Sequence, residues 1–396
     1  MIWSVHSNLS TSGILGSAGR VPLVDSEPLR SSDLVLAGRR LPLTASARIY
    51  VCGITPYLVT HLGHAATFVW ADVLQSVVRL AGVEAVTCRN VTDVDDVLTA
   101  AALEHGRPYD EFALTQEFLF DRDMRALGNR APDHTPHARL HVAHVTQLAA
   151  ALLSTGHAYE RDGFVYFRGD AVATRSGLTE KEALEQSRSF GDQPDDPHRD
   201  SPFDVPVWRP SPENEPAWPS PWGWGRPGWH SECAAMAWAV FGTSVDVMVG
   251  GEDLTYPHHA YQCAMVEAAS GVAPFARRQL HVGAVLKDGR KMAKSTGNMT
   301  LVGELTAAQR PAAVRLMLLN RVWHQHWEYV DREIHDAERA LDALYEAAGG
   351  THPSVEASEA VVSALLDDLD VPRALSVATD AGGAAARLLL ETLKLR

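Results

Sequence analysis

The sequence predicts an α/β protein with a parallel, nucleotide-binding type of core, and three adjoining segments predict it. Residues 47–52 (ARIYVC) are rich in β-branched and aromatic side chains, and the GITPY that follows carries the glycine and proline that end strands. From Gly63 onward Val69, Val73, Val77 and Leu80 recur at spacings of four, four and three, which is one apolar stripe along a helix ending near Gly82. VEAVTC (83–88) reads as a second strand. Strand, helix and strand in that order form a parallel crossover unit.

The other elements follow along the chain. Residues 1–40 read as an unstructured or loosely packed leader; residues 41–96 and 195–300 as the Rossmann-like core; 97–194 as an inserted, mostly helical domain; and 301–396 as a helical region. Within the insert FVYFRG (164–169) is the one strand candidate. Ten of the 22 prolines lie between Pro194 and Pro227, and Trp208, Trp218, Trp222, Trp224 and Trp229 sit in or just after that stretch. Prolines fix φ and remove donors, so an extended, ordered loop that wraps the core and lines a pocket is expected, without regular structure. A helix resumes at Ala234–Phe241, and SVDVMVGG (244–251) and RQLHVGAVL (278–286) are later strands, the second followed by the polar loop KDGRKMAKSTGN (287–298). From Pro311 the pattern is helical, with polar breaks at 349–355 and near 370–372, and predicts a small helical bundle.

Composition narrows the chemistry. The 396 residues carry 35 Lys plus Arg against 49 Asp plus Glu, a net charge of −14. Gripping a long phosphate backbone rests on basic side chains displacing counterions, so this charge disfavours nucleic acid and favours a small-molecule substrate. Hydrophobic residues at 46% and charged residues at 21% suit a globular chain and exclude wholesale disorder. Cys52, Cys88, Cys233 and Cys263 include no close pair, which argues against a secreted disulfide framework and for a reduced cytoplasm. No stretch approaches the ~18 apolar residues of a membrane span, and the N-terminus lacks a secretion signal.

Two motifs carry chemistry. His61-Leu62-Gly63-His64 lies between the first strand and the first helix, where free N–H groups and two imidazoles can bind phosphate oxygens. Lys291-Met292-Ala293-Lys294-Ser295 lies on the last polar loop, where two lysines three residues apart can close over a triphosphate and neutralise a pyrophosphate leaving group.

Together HLGH and KMAKS resemble the two signatures of the class I aminoacyl-tRNA synthetases, which implies a synthetase-type Rossmann-like fold and adenylation of a carboxylate by ATP with Mg²⁺. Further residues resemble the cysteinyl branch of that family. Cys52, Cys233 in GWHSECAAM and His258 in DLTYPHHA supply two thiols and an imidazole from distant segments, a donor set for tetrahedral zinc with one open position. The resemblance makes these the ligands of one Zn²⁺ whose open position takes the thiolate of L-cysteine, a soft ligand that serine cannot imitate. NVTDVDD (90–96) and Gly251-Glu252-Asp253 match two other family segments, and Trp229 looks like the wall of the cysteine pocket. The resemblance also places Gly53, Thr55, Thr67, Asn90, Thr92, Gly251, Glu252, Asp253 and Val285 around the adenylate. TPYLVTHLGHAATF (55–68) and WPSPWGWGRPGWHSECAA (218–235) resemble a non-tRNA branch, the ligases that join cysteine to the amino sugar glucosaminyl-inositol in mycothiol biosynthesis.

The implied reaction makes cysteinyl-AMP with His61, His64, Lys291 and Lys294 around the phosphates, then passes the cysteinyl group to the amine of glucosaminyl-inositol. Asp95 and Asp253 are candidate bases by position. Departures from the family pattern are Ala293 for serine, Glu252 in GED for GSD, Ala260 for glutamate and Gln262 where the tRNA enzymes carry a glutamate zinc ligand; Ser189–Pro194 matches the ligases only partly. These put the acceptor in question more than the activation step. Another amine, a carrier or tRNA are the alternatives, and tRNA is disfavoured by the acidic DDLD in 296–396. A monomer or weak dimer without membrane or nucleic-acid partners is expected.

Overall fold

The computed structural model describes residues 34–57, 59–213, 215–292, 296–351 and 353–396. The expected leader lies outside these residues up to position 33. Its last part is ordered: β1 (Val35–Leu36) and β2 (Arg39–Arg40) form a hairpin turned at Ala37 and Gly38, both with positive φ. Leu34 and Leu36 are fully buried, and Asp368 accepts from the Ala37 N–H at 2.8 Å. Two apolar side chains too close to the chain start to show a period fasten this segment to the C-terminal region.

The predicted crossover unit consists of β3 (Ser46–Ile54), α1 (Leu62–Leu80) and β4 (Glu84–Val91), with the two strands parallel and an irregularity between Val51 and Ile54. Val69, Val73 and Val77 are fully buried. Each such side chain contributes about 1.5–3 kcal/mol of burial, which fixes the roll of α1 and so the aim of its first turn.

Helices α2 (Asp96–Glu104), α3 (Tyr109–Ala126) and α4 (Val142–Ser154) follow, then the hairpin β5 (Ala158–Arg161) and β6 (Phe164–Phe167). After α5 (Asp170–Arg175) and α6 (Glu180–Ser189) come β7 (Val205–Pro210) and β8 (Gly225–Pro227), giving an antiparallel sheet in the order β5-β6-β7-β8. The proline-rich stretch thus contains regular structure, against expectation. Pro206 pairs beside a register shift between Val165 and Tyr166, and Pro210 and Pro227 end their strands, positions where a missing N–H costs little ladder bonding. Its tryptophans divide: Trp208 is fully buried, Trp224 is exposed, and of the five Trp229 faces the cleft described below.

Helix α7 (Trp229–Phe241) leads to β9 (Val245–Gly251); a kinked turn over Thr255–His259 and α8 (Ala260–Ser270) then lead to β10 (Ala276–Val282). These complete a parallel sheet in the order β10-β9-β3-β4. The single strand expected over 278–286 is two. The chain breaks at Gly283, where a Cβ would lie 2.4 Å from the Gln325 carbonyl oxygen, because residues 323–325 cross there. β11 (Val285–Lys287) then pairs with β12 (Arg290–Lys291) and, after α9 (Val302–Ala308) and α10 (Pro311–Leu319), with β13 (Trp327–Glu328).

Helices α11 (Asp331–Ala348), α12 (Val355–Leu366) and α13 (Val371–Ala381) break where the polar residues predict, whereas the break before α14 (Gly383–Thr392), at the positive-φ Gly382, and β13 within the stretch from Pro311 lie outside that expectation. Arg315 of α10 is fully buried and ties this region to α1, donating to Asp72 Oδ2 at 2.5 Å, the Leu393 carbonyl at 2.6 Å and the Leu127 carbonyl at 2.9 Å. Burial pushes the Asp72 carboxyl up, but Arg315 and Arg130 outweigh it and hold the group below its ordinary range.

Candidate active site

A cleft of about 790 Å³ opens at the carboxyl ends of the parallel strands, where sheets of this kind bind ligands. β3 brings Cys52 and Gly53 to it, β4 brings Asn90 with Thr92 just beyond, β9 ends in Gly251, and the first turn of α1 brings His61 and His64. Thr55, Thr67, Trp229, Cys233, Asp253, His258, Val285 and Lys291 line the same cleft. One fold event, the parallel pairing of strands nearly 200 residues apart in sequence, thus collects most of the predicted residues.

Cys52, Cys233 and His258 meet at its floor. Their ligand atoms all lie within 4.8 Å of one another and all three residues are buried. Burial pushes the Cys52 thiol up, but a hydrogen bond from Cys233 and the neighbouring His258 reverse this and hold it well below its ordinary value; burial, then Cys52, push Cys233 well above its own. The surroundings orient the trio. Asn90 Nδ2 donates to Cys233 Sγ at 3.2 Å and Gln262 Nε2 to Cys52 Sγ at 3.3 Å. His230 Nδ1 lies 2.8 Å from His258 Nδ1, which leaves Nε2 of His258 for the ligand role. Two thiols and an imidazole fit a soft divalent ion such as zinc better than a hard, oxygen-seeking one. Gln262 Oε1 is buried without a hydrogen-bond partner, so the residue in place of a fourth protein ligand faces this cluster.

The opposite end suits an anion. His61 begins α1 in an extended conformation without a side-chain cap, and no acid occupies the first turn. The rings of His61 and His64 stack with centroids 4.0 Å apart. Burial, then His64 and Lys291, lower the His61 pKa to about 3; burial, then Lys291, lower that of His64 to about 4. Both imidazoles are therefore neutral N–H donors, and Lys291 supplies the cation. Its Nζ lies 2.6 Å from Asp253 Oδ2. Between the two ends Thr55 and Thr92 share a hydrogen bond of 2.7 Å, and the Gly53 N–H donates to Asn90 Oδ1 at 2.9 Å. A Cβ on Gly53 would lie 1.6 Å from the Asn90 carbonyl oxygen, so β3 and β4 close to this distance only with glycine there.

Two predicted residues stand apart. Glu252 faces a neighbouring cavity instead of the cleft, and its Oε2 pairs with His326 Nε2 at 3.0 Å. Lys294, with Ala293, lies outside the described residues. Cys88 is a fully buried core residue, whereas Cys263 is half-buried and lines that neighbouring cavity. Asp95 lines the cleft; burial pushes its carboxyl up against the lowering effect of the Val97 N–H it accepts. Sequence reasoning missed Phe190, whose ring stacks on Trp229 (5.7 Å), which in turn stacks on His258 (3.9 Å). It also missed His230, although GWHSEC places it three residues before Cys233. Among the described residues no helix is long and apolar enough to cross a membrane.

Comparison with known proteins gives the family and the fold. Residues 42–339 match the family model of the class I (C) tRNA synthetase catalytic domain. The chain is 40% identical over 336 residues to the L-cysteine:1D-myo-inositol 2-amino-2-deoxy-alpha-D-glucopyranoside ligase of Kribbella flavida, covering 83% of each chain. It is 39% identical over 345 residues to the cysteine–tRNA ligase of Xanthomonas euvesicatoria, covering 84% of this chain and 72% of that one. Among solved structures, the methionyl-tRNA synthetase of Mycobacterium tuberculosis with methionyl-adenylate superposes with a TM-score of 0.58 at 17% identity, covering 89% of this chain and 82% of that one. The LeuRS-tRNA-LeuAMS complex of Agrobacterium radiobacter K84 gives 0.62 at 11%, covering 89% and 84%. At such identities the structural likeness concerns the fold.

Proposed function

The chain belongs to the class I (C) tRNA-synthetase catalytic-domain family, and on that premise we propose that it is an AMP-forming ligase that activates L-cysteine with ATP and transfers the cysteinyl group to the amine of glucosaminyl-inositol. The observation that carries this reading is the convergence of Cys52, Cys233 and His258 within 4.8 Å on the floor of the cleft that His61, His64 and Lys291 also line. Cys52, Cys233 and His258 would hold zinc, which when bound supplies a soft anchor for a thiolate and so separates cysteine from serine. Trp229, stacked on His258, walls the amino-acid end. His61 and His64 donate neutral N–H bonds, and Lys291 adds charge, to the phosphate oxygens as the carboxylate attacks the α-phosphate and pyrophosphate leaves. In the second half-reaction the amine nitrogen attacks the acyl carbon, the bond from that carbon to the phosphate oxygen breaks, and AMP departs with the electron pair. The proton lost from nitrogen goes to a carboxylate of the cleft, Asp95, whose carboxyl burial pushes up, or Asp253.

The test is cysteine-dependent exchange of pyrophosphate into ATP by zinc-replete protein, followed by addition of the amino sugar. Exchange, then release of AMP with a cysteinyl conjugate visible by mass spectrometry, is the expected result. No exchange would remove every cysteine-activating reading. Exchange with turnover only on tRNA would make the chain a cysteine–tRNA ligase, a reading favoured by its 39% identity to the Xanthomonas enzyme.

A further inference from the structure

A second cavity, also about 790 Å³, adjoins the cleft and shares Ser189, Phe190 and Asp253 with it. Its walls come largely from α5, α6, α8 and β10, elements that give the cleft itself only Ser189 and Val282. Two sequence departures that are eight residues apart, Glu252 and Ala260, both line it. The lining is rich in groups that bond hydroxyls: Gln186, Gln279, Ser176 and Ser189 with amides and hydroxyls, Glu252 with a carboxylate. The charges at its edge are matched in pairs. Glu267 faces Arg175 at 3.5 Å and Asp253 faces Lys291 at 2.6 Å. Glu252 pairs with His326, whose ring is more than half exposed, and also feels Lys291 and the Ala284 backbone. The Glu252 carboxylate thus stands at the junction of cavity and cleft, where it can accept from an amine.

We propose that this cavity is the acceptor site of the ligase, taking a small polyhydroxylated amine about the size of a disaccharide. The hydroxyl groups sit against Gln186 and Gln279, and the amine enters at the junction held by Glu252, beside Phe190, on the side of the cleft where the acyl carbon forms. The inference rests on the ligase reading above and adds to it the acceptor's place and its specificity residues. The volume lies within the range of ordinary small-ligand pockets and leaves room for two linked rings. The shorter Ala260, half-buried on α8, keeps that room open, and a larger side chain there would fill it.

The experiment uses full-length, zinc-loaded protein and glucosaminyl-inositol as the probe, with native enzyme, Ala260→Trp and Gln279→Leu. Pyrophosphate exchange in both variants should stay within about twofold of native, which also reports correct folding, while the KM for the amino sugar rises at least tenfold with little change in kcat. Glu252→Gln should raise the same KM. An unchanged acceptor KM in both cavity variants, with native enzyme turning over normally, overturns the site and leaves the ligase reading standing. Native enzyme that exchanges pyrophosphate but neither binds nor turns over the amino sugar removes the ligase reading and this site with it. Wrong folding of one variant, seen as lost exchange, leaves the other to decide.

Discussion

Lys291 Nζ lies 2.6 Å from Asp253 Oδ2 at the mouth of the cleft, with both side chains more than a third exposed. A pair so open to solvent is worth at most about 1 kcal/mol, so the lysine can turn to an incoming phosphate at small cost. Lys291→Ala should therefore slow cysteine-dependent pyrophosphate exchange by about 10²–10³-fold while moving the melting temperature hardly at all. A loss of less than about tenfold in kcat would mean that the phosphates are held elsewhere.

Removing one donor from the thiol–imidazole trio should remove the metal. Cys233→Ala is expected to fall from about one zinc per chain to trace, measured by elemental analysis of the purified protein, because two remaining donors do not make a tight site. Cysteine activation should vanish with it. Cys88→Ala, in the core yet outside the trio, should keep both; retention of full zinc by Cys233→Ala would contradict the assignment.

The two cleft histidines also set an acid sensitivity. Free imidazoles take up protons below about pH 6.5, whereas the folded rings resist until about pH 3 for His61 and about pH 4 for His64. Across that interval the unfolded state binds more protons, so stability falls as pH falls, by up to about 1.4 kcal/mol per pH unit for each ring. Urea unfolding of metal-stripped protein at pH 7 and pH 5 should show a smaller loss in a His61→Gln, His64→Gln double variant than in native protein. Equal losses would place the sensitivity in other groups.

Arg315 gives a prediction on stability alone. Arg315→Ala leaves Asp72 buried, exposed to solvent by only 4% of its side chain, and frees the Leu393 and Leu127 carbonyls. Breaking such a pair from one side costs about 3–5 kcal/mol, which urea unfolding would read directly. An Arg315→Met, Asp72→Leu double variant should recover much of that loss.

What the sequence makes legible, and what it hides, follows from the range of each signal. The β3–α1–β4 unit is legible because its period and its stop residues lie within one window, and Cys52, His61 and Asn90 come with it. The two strands in the proline-rich stretch are hidden because proline content speaks against strands in general, while pairing at bulges and strand ends is set by partners such as β6. The break at Gly283 depends on a backbone crossing from residues 323–325, forty residues later. Glu252 is legible as a departure but not in direction: its motif belongs to the adenylate cleft, and only the turn after β9 sends its side chain to the next cavity toward His326. Phe190 is legible only through what stacks on it.

The stack of Phe190, Trp229 and His258 has an optical consequence. One indole stacks on the imidazole of the metal trio and on Phe190, the side chain shared by the two cavities. Its emission is thus a built-in gauge of both events, quenched or released as the imidazole is engaged and shifted again as Phe190 moves. The difference spectrum between native protein and Trp229→Phe would isolate that gauge from the other nine tryptophans and allow the order in which the three ligands arrive to be followed in real time without a label.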